Sequence, residues 1–150
     1  MGRHATWISA AQAISLGVVF ASDALAQDTV PVTVTPFLSV ELNTADQAAG
    51  SCRLTFVAQN SLGADLAAAV LETVLFDTSG QVIDLTLFDF KDLPDGSPRV
   101  RQFDLAGVQC ASLGRVLLNG VHACTGLNLT ADICAAGLRW TSRIEIEVVG

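Results

Sequence analysis

His122 is the first residue to consider for catalysis, because an imidazole can act as a general base near neutral pH. The other histidine, His4, lies in an N-terminal segment that we expect to be removed. A lone histidine needs a placed nucleophile and an orienting acid, and the sequence contains no G-x-S-x-G, P-loop or H-E-x-x-H motif. We therefore predict that the protein is not an enzyme and that His122 is a partly buried or surface histidine.

Three aspartates, Asp89, Asp92 and Asp95, surround Lys91 and could offer oxygen ligands to a hard cation. Their spacing of three residues differs from the alternate-residue ligands of a calcium loop. Asp95 also precedes a glycine, which is ordinary turn chemistry. The pattern favours a turn, and we expect neither a bound metal nor a cofactor.

The four cysteines, Cys52, Cys110, Cys124 and Cys134, are an even set. Zinc ligands usually occur in pairs separated by two to four residues, and every interval here is longer. An even number of cysteines in an exported chain is typical of disulfides. We predict two disulfides.

The first 26 residues have the pattern of a secretory signal peptide. Arg3 precedes an apolar stretch over residues 7–21, and Ala24-Leu25-Ala26 forms an A-x-A cleavage site. The stretch is shorter than the roughly 20 apolar residues of a membrane-spanning helix, so cleavage is favoured over anchoring. The absence of a twin-arginine pair favours the general secretion route. We expect a mature chain of residues 27–150 in the periplasm or outside the cell, with no membrane span.

The charge of the chain excludes one class of partner. The net charge is −7, and loss of Arg3 and Asp23 with the signal peptide leaves it unchanged. Nucleic acids and anionic lipids are bound mainly through Lys and Arg. We therefore expect no nucleic-acid binding.

Period-two alternation of apolar and polar residues predicts short β-strands throughout the mature chain. The predicted strands are residues 32–43, 52–60, 69–77, 81–90, 99–105, 113–124 and 138–149. Pro31 and Pro36 cannot donate to a ladder and would place the first strand at a sheet edge. A helix beginning at Asp65 is the alternative for the alanine-rich start of the third strand. The pattern predicts a single all-β domain, an antiparallel immunoglobulin-like β-sandwich of about seven strands.

The stretch from Leu54 to Leu105 also resembles a known kind of module. It contains Asn60-Ser61-Leu62-Gly63 after a strand, then "LFDTSGQVI", then "LPDGSPRVRQFDL". This pattern is similar to bacterial immunoglobulin-like or fibronectin-like modules of the FxLYD and CARDB type. The resemblance implies a sandwich fold and a binding or structural role, and it supplies no active site.

The sandwich geometry selects one disulfide pairing. A strand between Cys110 and Cys124 holds them too far apart to pair. The second and sixth strands of such a sandwich begin at the same end, which favours Cys52–Cys110. Taking the sixth and last strands as antiparallel neighbours then favours Cys124–Cys134.

The loop "CTGLNLTADIC" between the last two strands is the best candidate for a binding surface, since long loops are often functional. Its candidate contact residues are Thr125, Asn128, Thr130 and Asp132, although the loop could be a stapled connection with no further role. We expect a non-enzymatic module that binds another protein or an envelope component. The alternatives are an enzyme that uses Asp89, Asp92 or His122, and a purely structural envelope protein.

Overall fold

The fold is an all-β sandwich of two four-stranded sheets, seen in a computed structural model that describes residue 2 and residues 35–150. The predicted signal peptide, residues 1–26, lies outside the described residues. One short 3-10 helix (Cys110–Ser112) and one α-helix, α1 (Ala131–Gly137), interrupt the strands. The strands are β1 (Phe37–Ala48), β2 (Ser51–Ser61), β3 (Leu66–Asp77), β4 (Val82–Asp89), β5 (Arg99–Ala106), β6 (Leu113–Gly126), β7 (Leu138–Ser142) and β8 (Glu147–Val149).

The order of the strands is β5-β2-β1-β7 in the first sheet and β4-β3-β6-β8 in the second. The pairings among β1, β2 and β5, and those among β3, β4 and β6, are antiparallel, as predicted. The two edge pairs β1–β7 and β6–β8 are parallel. The expectation that the sixth and last strands are antiparallel neighbours was therefore wrong.

Alternation of side chains produces the core between the sheets. Along β2 every second residue is buried, from Cys52 through Leu54, Phe56 and Ala58 to Asn60. Side chains of successive residues point to opposite faces of a strand, so this pattern puts one complete face of β2 inside. The facing residues Leu71, Thr73 and Leu75 of β3 are also buried, and the two inner faces close on each other.

Hydrogen bonds to Asp77 hold the turn between β3 and β4. Asp77 Oδ1 accepts hydrogen bonds from the N–H groups of Ser79 (2.8 Å) and Gln81 (2.9 Å) and closes the β3–β4 hairpin. Gly80 in the same turn has a φ of 86°, which a residue with a Cβ adopts only with strain.

The alanine-rich segment after Asp65 is strand from Leu66 onward, so the helix alternative was wrong.

Residues 32–34 of the first predicted strand lie outside the described residues, and the strand that follows Pro36 is not at a sheet edge. β1 begins at Phe37, immediately after Pro36, and continues to Ala48 through residues that were expected to form a connection. Because the prolines precede the strand, they do not prevent pairing on its open side. β7 pairs there with residues from Leu38 to Leu42.

The last predicted strand is divided between the two sheets, so that residues 35–150 form eight strands instead of the seven predicted. β7 ends at Ser142, and its hydroxyl donates to Ile146 O (2.7 Å) and lies 3.0 Å from Ile144 O. These contacts hold the reversal that brings β8 beside β6. Burial nevertheless alternates through the turn, with Ile146 and Val148 buried and Glu145 and Glu147 exposed.

Both predicted disulfides are present. Cys52 at the start of β2 is bonded to Cys110 just before β6, with Cα atoms 4.9 Å apart. Since β2 and β6 belong to different sheets, this bond staples the sandwich. Cys124 and Cys134 form the second disulfide, and the described residues contain no free cysteine.

Candidate functional site

The Cys124–Cys134 disulfide closes a loop, residues 124–134, that we call the stapled loop. Cys134 belongs to α1 and is fully buried. Leu129 also packs against the core, and its N–H donates to Gly126 O (3.2 Å). The loop is therefore fixed to the sandwich at both ends and at its middle.

Gly126 shows how closely the stapled loop approaches the body of the domain. A Cβ at this position would lie 2.6 Å from Asp65 O, which is closer than real Cβ atoms approach. The obstacle is backbone and cannot rotate away. A residue larger than glycine at 126 would force this part of the loop outward.

Two large apolar side chains of the stapled loop point to solvent. Leu127 is 78% exposed and Ile133 is 44% exposed. Asn128 follows Leu127 with a φ of 58°, a left-handed conformation that Asn tolerates better than most residues. Leu127 therefore lies at the tip of a turn whose flanking residues are held by the disulfide and by the packing of Leu129.

The four polar residues predicted as contacts lie in or beside the loop, and two of them have structural roles. Thr130 caps α1, with its hydroxyl accepting from Ile133 N–H (3.4 Å), and Asn128 forms the turn. Thr125 and Asp132 are exposed, on β6 and in the first turn of α1 respectively. Sequence reasoning missed Leu127 and Ile133. Their signal was available, because large apolar residues are unusual in a loop otherwise built of small and polar ones.

β4 carries a second group of exposed apolar side chains. Exposed fractions are 51% for Val82, 40% for Ile83, 71% for Leu85 and 48% for Leu87. Among the strands that the structure describes, β4 is at the edge of its sheet, with β3 as its one neighbour. Leu85 and Leu87 also line a shallow depression of about 240 Å³ with Glu72, Val74 and Asn119.

The three aspartates around Lys91 do not converge on a common point. Asp89 pairs with Lys91, Asp92 lies 3.4 Å from the Arg101 guanidinium, and the Asp95 carboxylate accepts from Gly63 N–H (3.0 Å). Among residues 35–150 no group of three or more potential metal ligands is found. Hydrogen bonds from Lys91 lower the pKa of Asp89, which strengthens its role as the acceptor that holds this turn.

His122 lies on the outer face of the second sheet, half exposed. Its Nδ1 is 3.8 Å from Glu72 Oε1, a distance longer than a hydrogen bond. The two groups stand on neighbouring strands β6 and β3. The pair is a surface contact between paired strands.

Short ion pairs at the surface of the described residues link neighbouring segments of the first sheet. Arg53 makes a two-point pair with Asp104 (2.7 and 2.9 Å) between β2 and β5. Arg143 Nε donates to Glu41 Oε1 (2.6 Å) and ties the turn after β7 to β1. Each arginine lowers the pKa of its partner carboxylate, mainly through the hydrogen bond. The two ion pairs lie apart on the surface and are not arranged around a common cavity.

No helix within the described part of the chain combines the length and the apolar character needed to cross a membrane. Comparison of the chain with protein-family models, with curated proteins and with solved structures gave no match. Inferences about function therefore rest on the geometry of the stapled loop and of β4.

Proposed function

We propose that the protein is a secreted or periplasmic, non-enzymatic β-sandwich module that binds another protein through the stapled loop. The observation that carries this proposal is the exposure of Leu127 and Ile133 on a loop fixed by a disulfide and a short helix. An apolar side chain held rigidly in solvent loses little conformational entropy when it enters a pocket of a partner. Apolar anchors of this kind contribute most when they enter well-packed, desolvated pockets.

The order of strands supports a relationship to immunoglobulin-like modules. β1, β2 and β5 are neighbours in one sheet and β3, β4 and β6 in the other, as strands A, B, E and C, C′, F are in that fold. A disulfide between β2 and the start of β6 also agrees with the inter-sheet bond of those domains. Such modules place recognition loops at the ends of the sandwich, where the stapled loop lies.

Two disulfides support the proposed compartment, because disulfides persist mainly in oxidising environments. We expect the exported protein to begin at Gln27. Mass analysis of its N-terminus checks this, with the cyclised form of Gln27 included in the search. Intact Met1 in the exported protein would contradict the signal peptide.

Affinity capture from an envelope extract tests the binding role. Bait proteins are the exported wild type, Leu127→Asp with Ile133→Asp, and the matched control Val100→Asp on β5, where Val100 is 58% exposed. We expect a partner captured in stoichiometric amount by the wild type and by the control, and lost with the loop variant. Equal capture by all three baits would refute a role for the loop. A small molecule retained by the wild type in native mass spectrometry, with no protein partner, would favour an enzyme.

A further inference from the structure

The shallow depression on the outer face of the second sheet, of about 240 Å³, combines apolar side chains with polar ones. Leu85 and Leu87 of β4 border it on one side. Val74 of β3 pairs with Leu85 and is only 8% exposed, so it lies at the base of the depression. Asn119 of β6 and Glu72 of β3 complete the lining. The depression therefore has an apolar base and a carboxylate at its border.

An irregularity in the pairing of β3 with β6 shapes this part of the face. The register shifts by one residue between the pair Glu72–Gly120 and the pair Thr73–Leu118. Asn119 is the extra residue and has no partner on β3. A Cβ at position 120 would lie 3.4 Å from Glu72 Oε2. The glycine therefore leaves room for the Glu72 carboxylate beside the depression.

The negative charge of Glu72 has no lysine or arginine partner within 4.0 Å among the residues that the structure describes. Its ionisable neighbour is His122, with Nδ1 3.8 Å from Oε1, which is longer than a hydrogen bond. Two other carboxylates of the same face each have a cation of their own, in the pairs Asp89–Lys91 and Glu147–Arg115. Glu72 is thus a carboxylate that can accept hydrogen bonds from a ligand.

We propose that this depression receives a lysine or arginine side chain of a partner protein. The aliphatic stem of that side chain packs on Val74, Leu85 and Leu87, and its cationic end reaches the Glu72 carboxylate and the side-chain oxygen of Asn119. Lysine and arginine combine an apolar stem with a charged end that stays in contact with water. A shallow, open depression suits them, because the charged end keeps part of its hydration and avoids the full cost of burial.

Charge complementarity decides the class of occupant. The chain carries a net charge of −7, so a basic surface is attracted to it and an acidic one is repelled. A purely apolar side chain would cover Glu72 and Asn119 without giving them hydrogen bonds, which costs free energy. A cationic side chain with an aliphatic stem matches both the apolar base and the polar border.

This contact is separate from the stapled loop. Gly120, beside Glu72, is six residues before Gly126 on β6, which corresponds to roughly 20 Å of strand. A substitution of Glu72 changes the depression and leaves the loop intact, whereas Leu127→Asp with Ile133→Asp does the reverse. Failure of either contact is therefore distinguishable from failure of the other.

Titration of the isotope-labelled exported protein with blocked amino acids, followed by its amide chemical shifts, tests the proposal. The probes are Nα-acetyl-lysine amide and Nα-acetyl-arginine amide, and the matched control is Nα-acetyl-norleucine amide, which has the lysine stem without the charge. We expect a cationic probe to shift the amides of Glu72, Leu85 and Asn119 saturably, in the millimolar range because an exposed ion pair contributes little. Equal shifts with norleucine, or no localised shifts with either cationic probe, would overturn the proposal.

Glu72→Gln removes the charge and keeps the shape of the side chain. We expect it to weaken binding of the cationic probe about two- to fivefold, the usual effect of an exposed ion pair. The control Glu145→Gln, at an exposed carboxylate between β7 and β8, should bind the probe as the wild type does. Equal weakening by the two variants would indicate general attraction to a negative chain and would overturn the site, as would unchanged binding to Glu72→Gln.

Discussion

Phe88 and Phe103 stack across the gap between the two sheets, with ring centroids 4.2 Å apart and planes inclined by 9°. Phe88 belongs to β4 and Phe103 to β5, two edge strands of different sheets. No backbone ladder joins these two strands, so the stacked side chains fill the gap between them. Phe56 packs against both rings, at 5.6 and 5.9 Å, which extends the closure into the core.

Phe103→Ala should therefore weaken the sandwich at its open side. We expect a loss of about 2 kcal/mol in the free energy of unfolding, from partial burial of the ring and from the aromatic contacts. Urea denaturation followed by circular dichroism measures it. Val100→Ala, on the same strand but exposed, is the control and should stay within about 0.5 kcal/mol of wild type. Equal stability of the two variants would show that the stack contributes nothing.

The side chain of Asn60, at the end of β2, joins the turn that follows it to the segment around Leu93. It is fully buried, and its amide donates to Ala64 O (2.8 Å) and Leu93 O (2.9 Å) while its Oδ1 accepts from Leu62 N–H (3.0 Å). Asn60→Ala removes the side-chain partner of Ala64 O and of Leu62 N–H, while Leu93 O keeps the Leu66 N–H as its donor (3.0 Å). We expect a cost of about 1–3 kcal/mol in the free energy of unfolding. Asn60→Asp should be at least as damaging, since a carboxylate cannot donate to the two carbonyls.

Chemical denaturation of the two Asn60 variants, beside Gln59→Ala on the outer face of β2, measures these costs. We expect Gln59→Ala to have much the smaller effect, because its side chain points away from the core. Asn60→Asp as stable as the wild type would contradict the assigned donors.

Regular alternation made much of the fold predictable from sequence. β2, with strict alternation, was predicted within one residue of its observed ends. The same rule failed for the last strand, because Ile144 and Ile146 keep the alternation while the chain passes from one sheet to the other. The alternation of apolar and polar residues predicts which side chains of a strand are buried. It does not predict which other strand pairs with it. The contacts of the Ser142 hydroxyl that make the reversal are not visible as a pattern.

The candidate site was only partly predictable for a different reason. The loop itself could be predicted, because Cys124 and Cys134 are only 10 residues apart and their disulfide encloses it. Which side chains the loop exposes depends on the turn at Asn128 and on the helix after Thr130. Propensity alone did not indicate a helix as short as α1. The depression beside β4 also depends on which strands are its neighbours, which the order of strands decides.

Stability should fall at acid pH partly through Asp77. Its carboxylate accepts from the Ser79 hydroxyl (2.7 Å) and from two backbone N–H groups, and these bonds, that of the Ser79 side chain foremost, hold its pKa below the ordinary value. The folded pKa is lower than the unfolded one, near 3.9. The stabilisation of the folded state by ionised Asp77 is therefore complete above the unfolded pKa. It is lost as the pH falls through the folded pKa.

Urea midpoints measured from neutral pH to below pH about 4 test this contribution. We expect the acid-side decline to be shallower in Asp77→Asn, which does not titrate, and intermediate in Ser79→Ala, which lacks the hydroxyl donor. A decline as steep in Asp77→Asn as in the wild type would assign the acid sensitivity to other carboxylates, such as Glu41 or Asp104, whose pKa values are also lowered.

The two disulfides should differ in how much they stabilise the protein. Cys52–Cys110 spans 58 residues and Cys124–Cys134 spans 10. In the chain-entropy model a cross-link stabilises by restricting the unfolded chain, more so for a longer loop, which gives about 4 kcal/mol for the first and about 3 kcal/mol for the second. Denaturation of the paired alanine variants, Cys52→Ala with Cys110→Ala and Cys124→Ala with Cys134→Ala, measures the difference.

Non-reducing peptide mapping of the wild type establishes the starting point for that comparison. We expect peptides that join Cys52 to Cys110 and Cys124 to Cys134. Removal of the second bond should also weaken partner capture, because it frees the framework that holds Leu127, whereas removal of the first should affect stability alone. A peptide joining Cys110 to Cys124 would contradict the order of strands, since the body of β6 lies between these residues.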